Sequence, residues 1–320
     1  MKKYAVGVDF GGTGVKLALV NAQGKIVARE HFATAGASGQ AAWLDAVAAA
    51  IDRMLHARRL KKSALAGVGV GVPGFVDFER GFIHDLTNVP GWTAVKLADM
   101  MMKKLGLPAY VDNDANLMAF GEIMFGGGKN LKTAVFLTLG TGVGGGIVLD
   151  GQVYRGAYSM AGELGHISIE RNGVASPQGR GGLEQYIGNR RIVERAIKLL
   201  KTGRTSKVTA LCDGDLEKIT PKLLAQAAHD GDPFALELFD YVADCLATAL
   251  ASVTYLLQPE AFIIGGGVAA SGKILFEPLR KHLEARLSPH FYKRIKVLPA
   301  KLGNDAGAVG GAALALKTLE

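Results

Sequence analysis

The stretch Ala109–Glu122 has the sequence AYVDNDANLMAFGE, which predicts a short strand that runs directly into a helix. Four polar residues stand at the junction: Asp112, Asn113, Asp114 and Asn116. Chemistry in α/β proteins is often placed at such junctions, because backbone N–H groups and side chains converge there. A simpler interpretation is that Asn113 or Asp114 only caps the helix. The glycine loops that lie on either side of this stretch in the sequence favour the functional interpretation.

The composition is that of a globular protein large enough for two domains, each with its own core. Of the 320 residues 49% are hydrophobic and 21% are charged, and 43 are glycine without any collagen-like period. The net charge of +8 is spread over small clusters and favours anionic ligands such as nucleotides. Because there is no basic arm and no stripe of basic and aromatic residues, a nucleic-acid partner is not predicted.

The cysteine content and the first residues predict a cytoplasmic protein. Only Cys212 and Cys245 are present, and the N-terminus, MKKYAVGVDF, enters a predicted strand without a signal-like segment. The apolar run Cys245–Leu257 is too short to span a bilayer and is predicted to be a buried helix. We therefore expect no membrane partner.

The tetrapeptide GTGV occurs twice, at Gly12–Val15 and at Gly140–Val143, each time between two apolar stretches that are predicted as strands. This is a weak internal repeat, placed where two equivalent lobes would each need a turn. Predicted strands followed by helices in both halves of the chain indicate an α/β fold of two lobes.

The familiar nucleotide-binding motifs are absent. Two stretches that begin at Gly69 and Gly140 have the G-x-G-x-x-G spacing. Pro73 and a loop follow the first and a strand follows the second, so neither provides the helix N-terminus that a dinucleotide-binding motif needs. The chain also contains no G-x-x-x-x-G-K-[ST] sequence of a Walker A loop.

A glycine-rich turn between strands can still bind phosphate, because its N–H groups point into one concavity and no Cβ obstructs the anion. At the first turn Asp9 adds a carboxylate suited to a metal, Thr13 a hydroxyl and Lys16 a cation; Thr141 adds a hydroxyl at the second. Any one loop alone could be an ordinary hairpin. Two matching loops and a third at Gly265–Gly267 together predict a nucleotide-binding cleft.

Six motifs, in order along almost the whole chain, resemble the ROK family of sugar kinases: VGVDFGGTGVKLALV, GVPGFVD, LTNVPGW, VDNDAN, LTLGTGVGGGIVLDGQVYRGAYSMAGELGHI and GNDAGAVGGAAL. This resemblance implies the two-lobed actin/hexokinase-type ATPase fold, which is related to ribonuclease H. ROK repressors carry an additional N-terminal helix-turn-helix. Since this chain starts at the first predicted strand, we expect an enzyme and not a repressor.

The resemblance implies that Asp114 is the general base that takes the proton from a sugar hydroxyl. A carboxylate suffices for this role, because phosphoryl transfer depends mainly on positioning and charge neutralisation. The implied sugar-binding residues are Gly74, Asn88, Asn113, Asp114, Glu163, His166 and Glu184. For Glu184, a helix N-terminal carboxylate is an equally good interpretation.

The resemblance also implies a set of residues for ATP and magnesium. Asp9 would face Mg²⁺, the first two glycine loops would hold the phosphates and the third would lie on the adenosine side. The predicted nucleotide-binding residues are Asp9, Gly11, Gly12, Thr13, Lys16, Gly140, Thr141, Gly142, Gly266 and Gly267.

One stretch departs from the family pattern. Many ROK proteins hold a structural zinc with one histidine and three cysteines of a C-x-C-G-x-x-G-C-x-E loop, but Ile169–Glu184 contains no cysteine. Thiolate ligation is therefore impossible in this loop, and we predict no zinc. The vacated positions correspond to Ser176, Gln178 and Gly182. His166 is then free for a sugar hydroxyl, and whether the loop is ordered stays open.

Together these features predict an ATP- and Mg²⁺-dependent hexose kinase that acts on the 6-hydroxyl, with glucose as the first choice of sugar. The cleft would lie between a small lobe, residues 1–118 plus 304–320, and a larger lobe, residues 119–303. The alternatives are kinases of N-acetylmannosamine, N-acetylglucosamine, fructose or allose, polyphosphate as the donor, and a catalytically silent sugar sensor. A homodimer is an expectation from the family alone.

Overall fold

The computed structural model describes residues 3–37, 39–86 and 89–318, which form an α/β protein. The strands are β1 (Tyr4–Phe10), β2 (Gly14–Asn21), β3 (Ile26–Ala33), β4 (Leu65–Val72), β5 (Gly74–Asp77), β6 (Phe82–Leu86), β7 (Ala109–Asn113), β8 (Ala134–Leu139), β9 (Val143–Leu149), β10 (Gln152–Tyr154), β11 (Ala175–Ser176), β12 (Gly179–Arg180), β13 (Ala261–Gly265) and β14 (Lys296–Pro299). The α-helices are α1 (Gln40–Ala57), α2 (Leu97–Leu105), α3 (Asp114–Phe125), α4 (Glu184–Ile187), α5 (Asn189–Leu200), α6 (Val208–Leu211), α7 (Pro221–His229), α8 (Pro233–Leu257), α9 (Lys273–Arg286), α10 (Pro289–Tyr292) and α11 (Ala306–Lys317). Short 3₁₀ helices cover Thr34–Ala37, Lys62–Ala64, Leu164–His166, Leu216–Lys218, Ala269–Ser271 and Gly303–Asp305.

The first compact unit comprises Met1–Lys132, Gly146–Gly162 and Lys301–Glu320, and contains a sheet of order β3–β2–β1–β4–β7. Strands β1, β4 and β7 are parallel, with Asp9 opposite Gly71 and Gly71 opposite Asp112. The carboxyl ends of the three strands therefore meet at one edge of the sheet. In open α/β sheets this is the edge that carries ligand sites.

Helix α11 packs very closely against this sheet and against α3. A Cβ on Gly7 would lie 1.6 Å from the carbonyl oxygen of Ala308, and one on Gly310 would lie 1.7 Å from that of Leu117. No side chain fits at either position, so glycine is required for the close approach. As a result the start of α11 lies beside β1, where a Cβ on Gly307 would be 3.0 Å from Cγ of Asp9.

The second compact unit comprises Thr133–Gly145 and Glu163–Ala300. In this unit β13 is parallel to β8 and to β14. Helix α8 begins where Asp232 accepts a hydrogen bond from the backbone N–H of Ala235 (2.8 Å), and its buried face joins the core around β13. Strand β9 begins in this unit and continues into the first, where it pairs with β10.

These units differ in their bounds from the predicted lobes. The predicted boundary after Met118 lies inside α3. The whole of α3 belongs to the first unit, where Gly121 packs closely against α11. The chain leaves the first unit only after Lys132, and Gly146–Gly162 also belongs to that unit. The cleft between the lobes stays a prediction.

Within the described residues, no helix combines the length and the apolar character that crossing a bilayer requires.

Candidate active site

The junction of β7 and α3 is built by side chains that hydrogen-bond to the first turn of the helix. Oδ1 of Asn113 accepts hydrogen bonds from the N–H groups of Ala115 (2.9 Å) and Asn116 (3.3 Å). Its Nδ2 donates to the carbonyl oxygen of Gly74 (3.2 Å). Asn113 therefore caps the helix, as one interpretation of the sequence predicted. An amide nitrogen carries two protons, and the second one is the group that Asn113 can offer to a ligand.

Asp114 is the first residue of α3, and its Oδ1 accepts from the N–H of Ala115 (2.8 Å). A helix N-terminus favours negative charge, because N–H groups and the helix dipole point toward it. Gly71 on the neighbouring strand lies close by, since a Cβ there would be 3.4 Å from Cα of Asp114. The carboxylate is thus held at the sheet edge that also carries Asp9.

Asp9 is a mostly buried carboxylate near the end of β1. Its side chain is 14% exposed, and Nζ of Lys16, its partner in the β1–β2 register, lies 3.8 Å from Oδ2. Burial raises the pKa of Asp9 above its ordinary value, and the Lys16 ammonium offsets only part of that rise. In the turn that follows, the N–H of Gly11 donates to Gly14 O (3.0 Å), and Gly12 and Thr13 are exposed.

The raised pKa of Asp9 predicts a pH-dependent stability difference for Asp9→Asn. A carboxyl whose pKa is raised in the folded state stabilises the fold in acid, and this contribution is lost as the pH rises from about 4 through the folded pKa. The variant lacks this loss, so we expect its Tm to exceed that of wild type at pH 7.5. The difference should shrink as the pH falls toward about 4. Thermal unfolding across this range tests it, with the exposed Asp52→Asn as the control; a gap independent of pH would contradict it.

Three of the predicted sugar ligands lie together in the second unit. Nε2 of His166 is 3.8 Å from Oε2 of Glu163. Burial raises the pKa of Glu163; His166 opposes the rise and the Glu184 carboxylate adds to it. Oε2 of Glu184 accepts from the N–H of Val143 (2.9 Å), so this side chain holds the second glycine loop from the start of α4.

The second and third glycine loops are also neighbours, because β8 and β13 are parallel and end side by side. Gly266 has φ +90°, and a Cβ there would lie 2.3 Å from the carbonyl oxygen of Leu139, next to Gly140. A Cβ on Gly142 would lie 2.2 Å from Oε2 of Glu184. Glycine is therefore required at Gly266, where a Cβ would meet backbone atoms and φ is positive. At Gly142 the neighbouring atom is the end of the Glu184 side chain, so a larger residue there would displace this carboxylate. Thr141 and Gly267 are exposed beside them.

The cysteine-free loop is closed by hydrogen bonds. Its strands β11 and β12 form a hairpin, and the N–H of Ile169 donates to Gly181 O (2.9 Å). The hydroxyl of Tyr186 donates to Oε2 of Glu170 (2.9 Å) and accepts from the N–H of Val174 (3.0 Å). This hydroxyl therefore fastens one side of the loop to α4, the helix that begins with Glu184.

Removing that hydroxyl should loosen the loop. Tyr186→Phe deletes two hydrogen bonds at little cost in volume, and a loss of about 1 kcal/mol in local stability corresponds to roughly fivefold more opening. We expect trypsin to cleave after the exposed Arg171 and Arg180 about fivefold faster than in wild type. The control is Tyr255→Phe, which removes the hydroxyl of an exposed tyrosine that contacts Phe291 edge to face in the same unit. Equal cleavage rates in the two variants would show that Tyr186 does not hold the loop.

The structure thus groups the predicted residues in two sets. The first unit holds Asp9, Gly11, Gly12, Thr13, Lys16, Gly74, Asn113 and Asp114, and the second holds Gly140, Thr141, Gly142, Glu163, His166, Glu184, Gly266 and Gly267. Asn88 lies outside the described residues. Among those that are described, no three His, Cys, Asp or Glu side chains form a group suited to a metal ion.

Sequence reasoning missed two charged groups of the first unit, one at the junction and one near the end of α3. Arg155 forms an ion pair with Asp112, and Glu122 on α3 is completely buried and binds backbone N–H groups. The polar cluster at the junction includes Asp112, so the sequence offered a signal for a role of this carboxylate. Arg155 and Glu122 offered no local signal, because their partners lie far away along the chain or are backbone atoms.

Comparisons with known proteins give a family and a fold. The model of the ROK family matches residues 5–318. A glucokinase of Halalkalibacterium halodurans is 37% identical over 97% of this chain and 94% of its own length. A crystal structure of a ROK family glucokinase from Streptomyces griseus, in complex with glucose and AMPPNP, is 33% identical, with a TM-score of 0.83 and coverage of 98% and 99% of the two chains. A ROK family transcriptional regulator, a homologue of the E. coli MLC protein, has a TM-score of 0.88 at 26% identity, covering 100% of this chain and 79% of that one.

The chain has the actin/hexokinase-type fold, as predicted. This follows from its α/β units, with their strand-end carboxylates and glycine loops, together with these similarities. The chain belongs to the ROK family, which confirms the resemblance drawn from its motifs.

Proposed function

We propose that this protein is an ATP-dependent kinase that transfers the γ-phosphoryl group of ATP to the 6-hydroxyl of glucose. The observation that carries the proposal is the Asp114 carboxylate at the first turn of α3, beside the capping Asn113, in a chain 37% identical to a glucokinase. The likeness to a family member that binds glucose and AMPPNP supports both substrates.

In the proposed reaction Asp114 acts as general base. The sugar O6 attacks the γ-phosphorus, and the bond to the oxygen shared with the β-phosphate breaks. ADP leaves with that electron pair, and the O6 proton passes to the Asp114 carboxylate. Asn113 offers its second N–H to a neighbouring hydroxyl, while its Oδ1 keeps the helix start in place.

Glucose would be held by the carboxylates and imidazole of the second unit. Glu163 and Glu184 can each accept hydrogen bonds from two adjacent hydroxyls, and His166 adds a ring nitrogen. Gly74 and Asn88 would be lesser contacts. The proposal includes a cleft whose lobes close on the sugar, because water in an open site would hydrolyse the phosphoryl donor.

For the nucleotide, the phosphates would lie against the glycine loops, near Thr13 and Thr141, with Gly266 and Gly267 on the adenosine side. Asp9 fits a magnesium ion that arrives with ATP, because its carboxylate is mostly buried and only partly compensated by Lys16. Mg²⁺ supplies neutralisation of the charge on the β- and γ-phosphates. Lys16 adds a cation at the same turn.

The donor set does not suit zinc. The loop over residues 169–184 lacks cysteine and is closed by its hairpin and by the hydrogen bonds of Tyr186. Burial raises the pKa of the Cys245 thiol to about 11, which disfavours the thiolate that binds zinc. We therefore include ATP and magnesium in the proposal and no zinc.

A catalytically silent sugar sensor is the second candidate, favoured by the likeness to a ROK transcriptional regulator. A sensor needs neither a base nor a carboxylate for the metal, yet Asp114 and Asp9 are both present at the same sheet edge. This favours the kinase. We further propose a homodimer in the cytoplasm, without a membrane or nucleic-acid partner.

The test is coupled ADP release with Mg²⁺–ATP and a panel of glucose, fructose, mannose, N-acetylmannosamine, N-acetylglucosamine and allose. We expect the highest kcat/KM with glucose. A higher kcat/KM with another sugar would support the proposed kinase activity but show that glucose is not its preferred substrate. No turnover on all six sugars, with ATP and then with polyphosphate as donor, would overturn the kinase in favour of the sensor.

A further inference from the structure

Asp112 is an almost completely buried carboxylate, and the proposed reaction does not use it. It is 2% exposed. Its Oδ1 accepts from the N–H of Asn113 (2.8 Å) and from Nδ2 of Asn116 (3.1 Å). Since these residues stand on either side of Asp114, Oδ1 joins the end of β7 to the first turn of α3 across the position of the proposed base.

The other oxygen of Asp112 is held by Arg155. Nε and Nη2 of Arg155 both donate to Oδ2, at 2.9 and 2.7 Å. Nη1 donates to the carbonyl oxygen of Val153 (3.2 Å), and the guanidinium carbon lies 3.5 Å from the ring centroid of Phe78. The guanidinium is thus fixed on one face by a ring and on its edges by acceptors, which leaves it little rotational freedom.

This arrangement is more than charge compensation. A buried carboxylate without a cation would draw its hydrogen-bond donors toward itself or take up a proton, and either change would alter the contacts of Oδ1 with Asn113 and Asn116. Because Arg155 neutralises Asp112 from the side of Oδ2, Oδ1 can hold the strand–helix junction. The residue whose placement depends on that junction is Asp114.

We propose that Arg155 and Asp112 are positioning residues that hold Asp114 in place for phosphoryl transfer. The inference rests on the proposed kinase function. Neither residue touches the reacting atoms; both act through the turn that carries the base. In phosphoryl transfer a displacement of about 1 Å in a reacting group can cost about 10²-fold in rate.

The first test is the kinetics of Arg155→Met, which keeps an apolar chain over Phe78 and removes the charge and all three hydrogen bonds. We expect kcat to fall about 10²-fold, whereas the dissociation constant for glucose changes less than about threefold. Arg155→Lys keeps the charge without the planar fork and should recover part of kcat. If Arg155→Met does not fold, kcat and the glucose dissociation constant of the isosteric Asp112→Asn are compared with those of Arg155→Lys.

The matched control is Arg80→Met. Arg80 also lies against a phenylalanine (5.1 Å to the centroid of Phe82) and near an aspartate (3.8 Å to Asp77) of the same unit, but makes no contact with the junction. The second readout is hydrogen exchange of the peptide covering residues 110–120. We expect faster exchange in Arg155→Met and no change in Arg80→Met.

The outcomes separate the two proposals. No kinase activity of wild type on any sugar would overturn the proposed function. An active wild type, with kcat unchanged in a folded Arg155→Met that only unfolds at lower temperature, would overturn the positioning role alone. A rise in the glucose dissociation constant without a loss of kcat would also overturn it, because the pair would then serve binding.

Discussion

Replacing Asp114 with asparagine should lower kcat about 10³-fold and leave the dissociation constant for glucose within about threefold of wild type. Asparagine keeps the shape of the side chain and an oxygen that can accept from the N–H of Ala115, as Asp114 does at 2.8 Å. The start of α3 and the Asn113 cap should therefore survive the change. What is lost is the group that accepts the O6 proton.

Loss of the base should destabilise the transition state more than it weakens sugar binding. The proton leaves O6 as the phosphoryl group arrives, so a base contributes most at that point and little to ground-state binding. Coupled ADP release gives kcat, and calorimetry gives glucose affinity in the absence of ATP.

The control is Asp99→Asn, an exposed aspartate in the first turn of α2 in the same unit, which should leave both constants unchanged. Near-wild-type turnover of Asp114→Asn would show that another group takes the proton. A parallel loss of sugar affinity and turnover would assign Asp114 to binding instead.

Replacing Glu122 with glutamine should lower the free energy of unfolding by about 3 kcal/mol. Glu122 is 0% exposed. Its Oε1 accepts from the N–H groups of Lys301 (2.8 Å) and Leu302 (2.7 Å), and its Oε2 from that of Gly127 (2.6 Å). Glutamine has one acceptor oxygen, and its amide would place N–H groups against backbone N–H groups on the other side.

The effect should be large because no rotation of the amide satisfies all three donors. At least one buried N–H is left unpaired, and hydrogen bonds that had a charged acceptor become neutral ones. The three donors belong to the segments just after α3 and just before α11, so loosening them weakens the α3–α11 packing of the first unit.

Thermal unfolding measures this change, and we expect Tm to fall by about 5 °C for a chain of this size. Glu217→Gln is the control, since Glu217 is exposed and its variant should stay within about 0.5 kcal/mol of wild type. A Glu122→Gln variant as stable as the control would mean that the carboxylate does not hold these segments.

The sequence by itself determined the features that depend on short-range chemistry. The strand–helix junction at Asn113, the turn of glycines after β1 and the buried helix over Cys245–Leu257 were all predicted from local patterns. Periodicity, caps and tight turns involve residues a few positions apart, so their signals lie within one window of the chain. The order of these features along the chain was also enough to identify the family.

Only the tertiary structure decided which distant groups meet. Arg155 lies 43 positions from Asp112, and Lys301 lies 179 positions from Glu122. A carboxylate on an apolar helix has the same local sequence whether solvent or a buried backbone N–H faces it. The tertiary structure likewise decided that Gly7 and Gly310 serve helix packing and not a ligand. Long-range hydrogen bonds and close approaches depend on how the elements pack, and no local pattern encodes that.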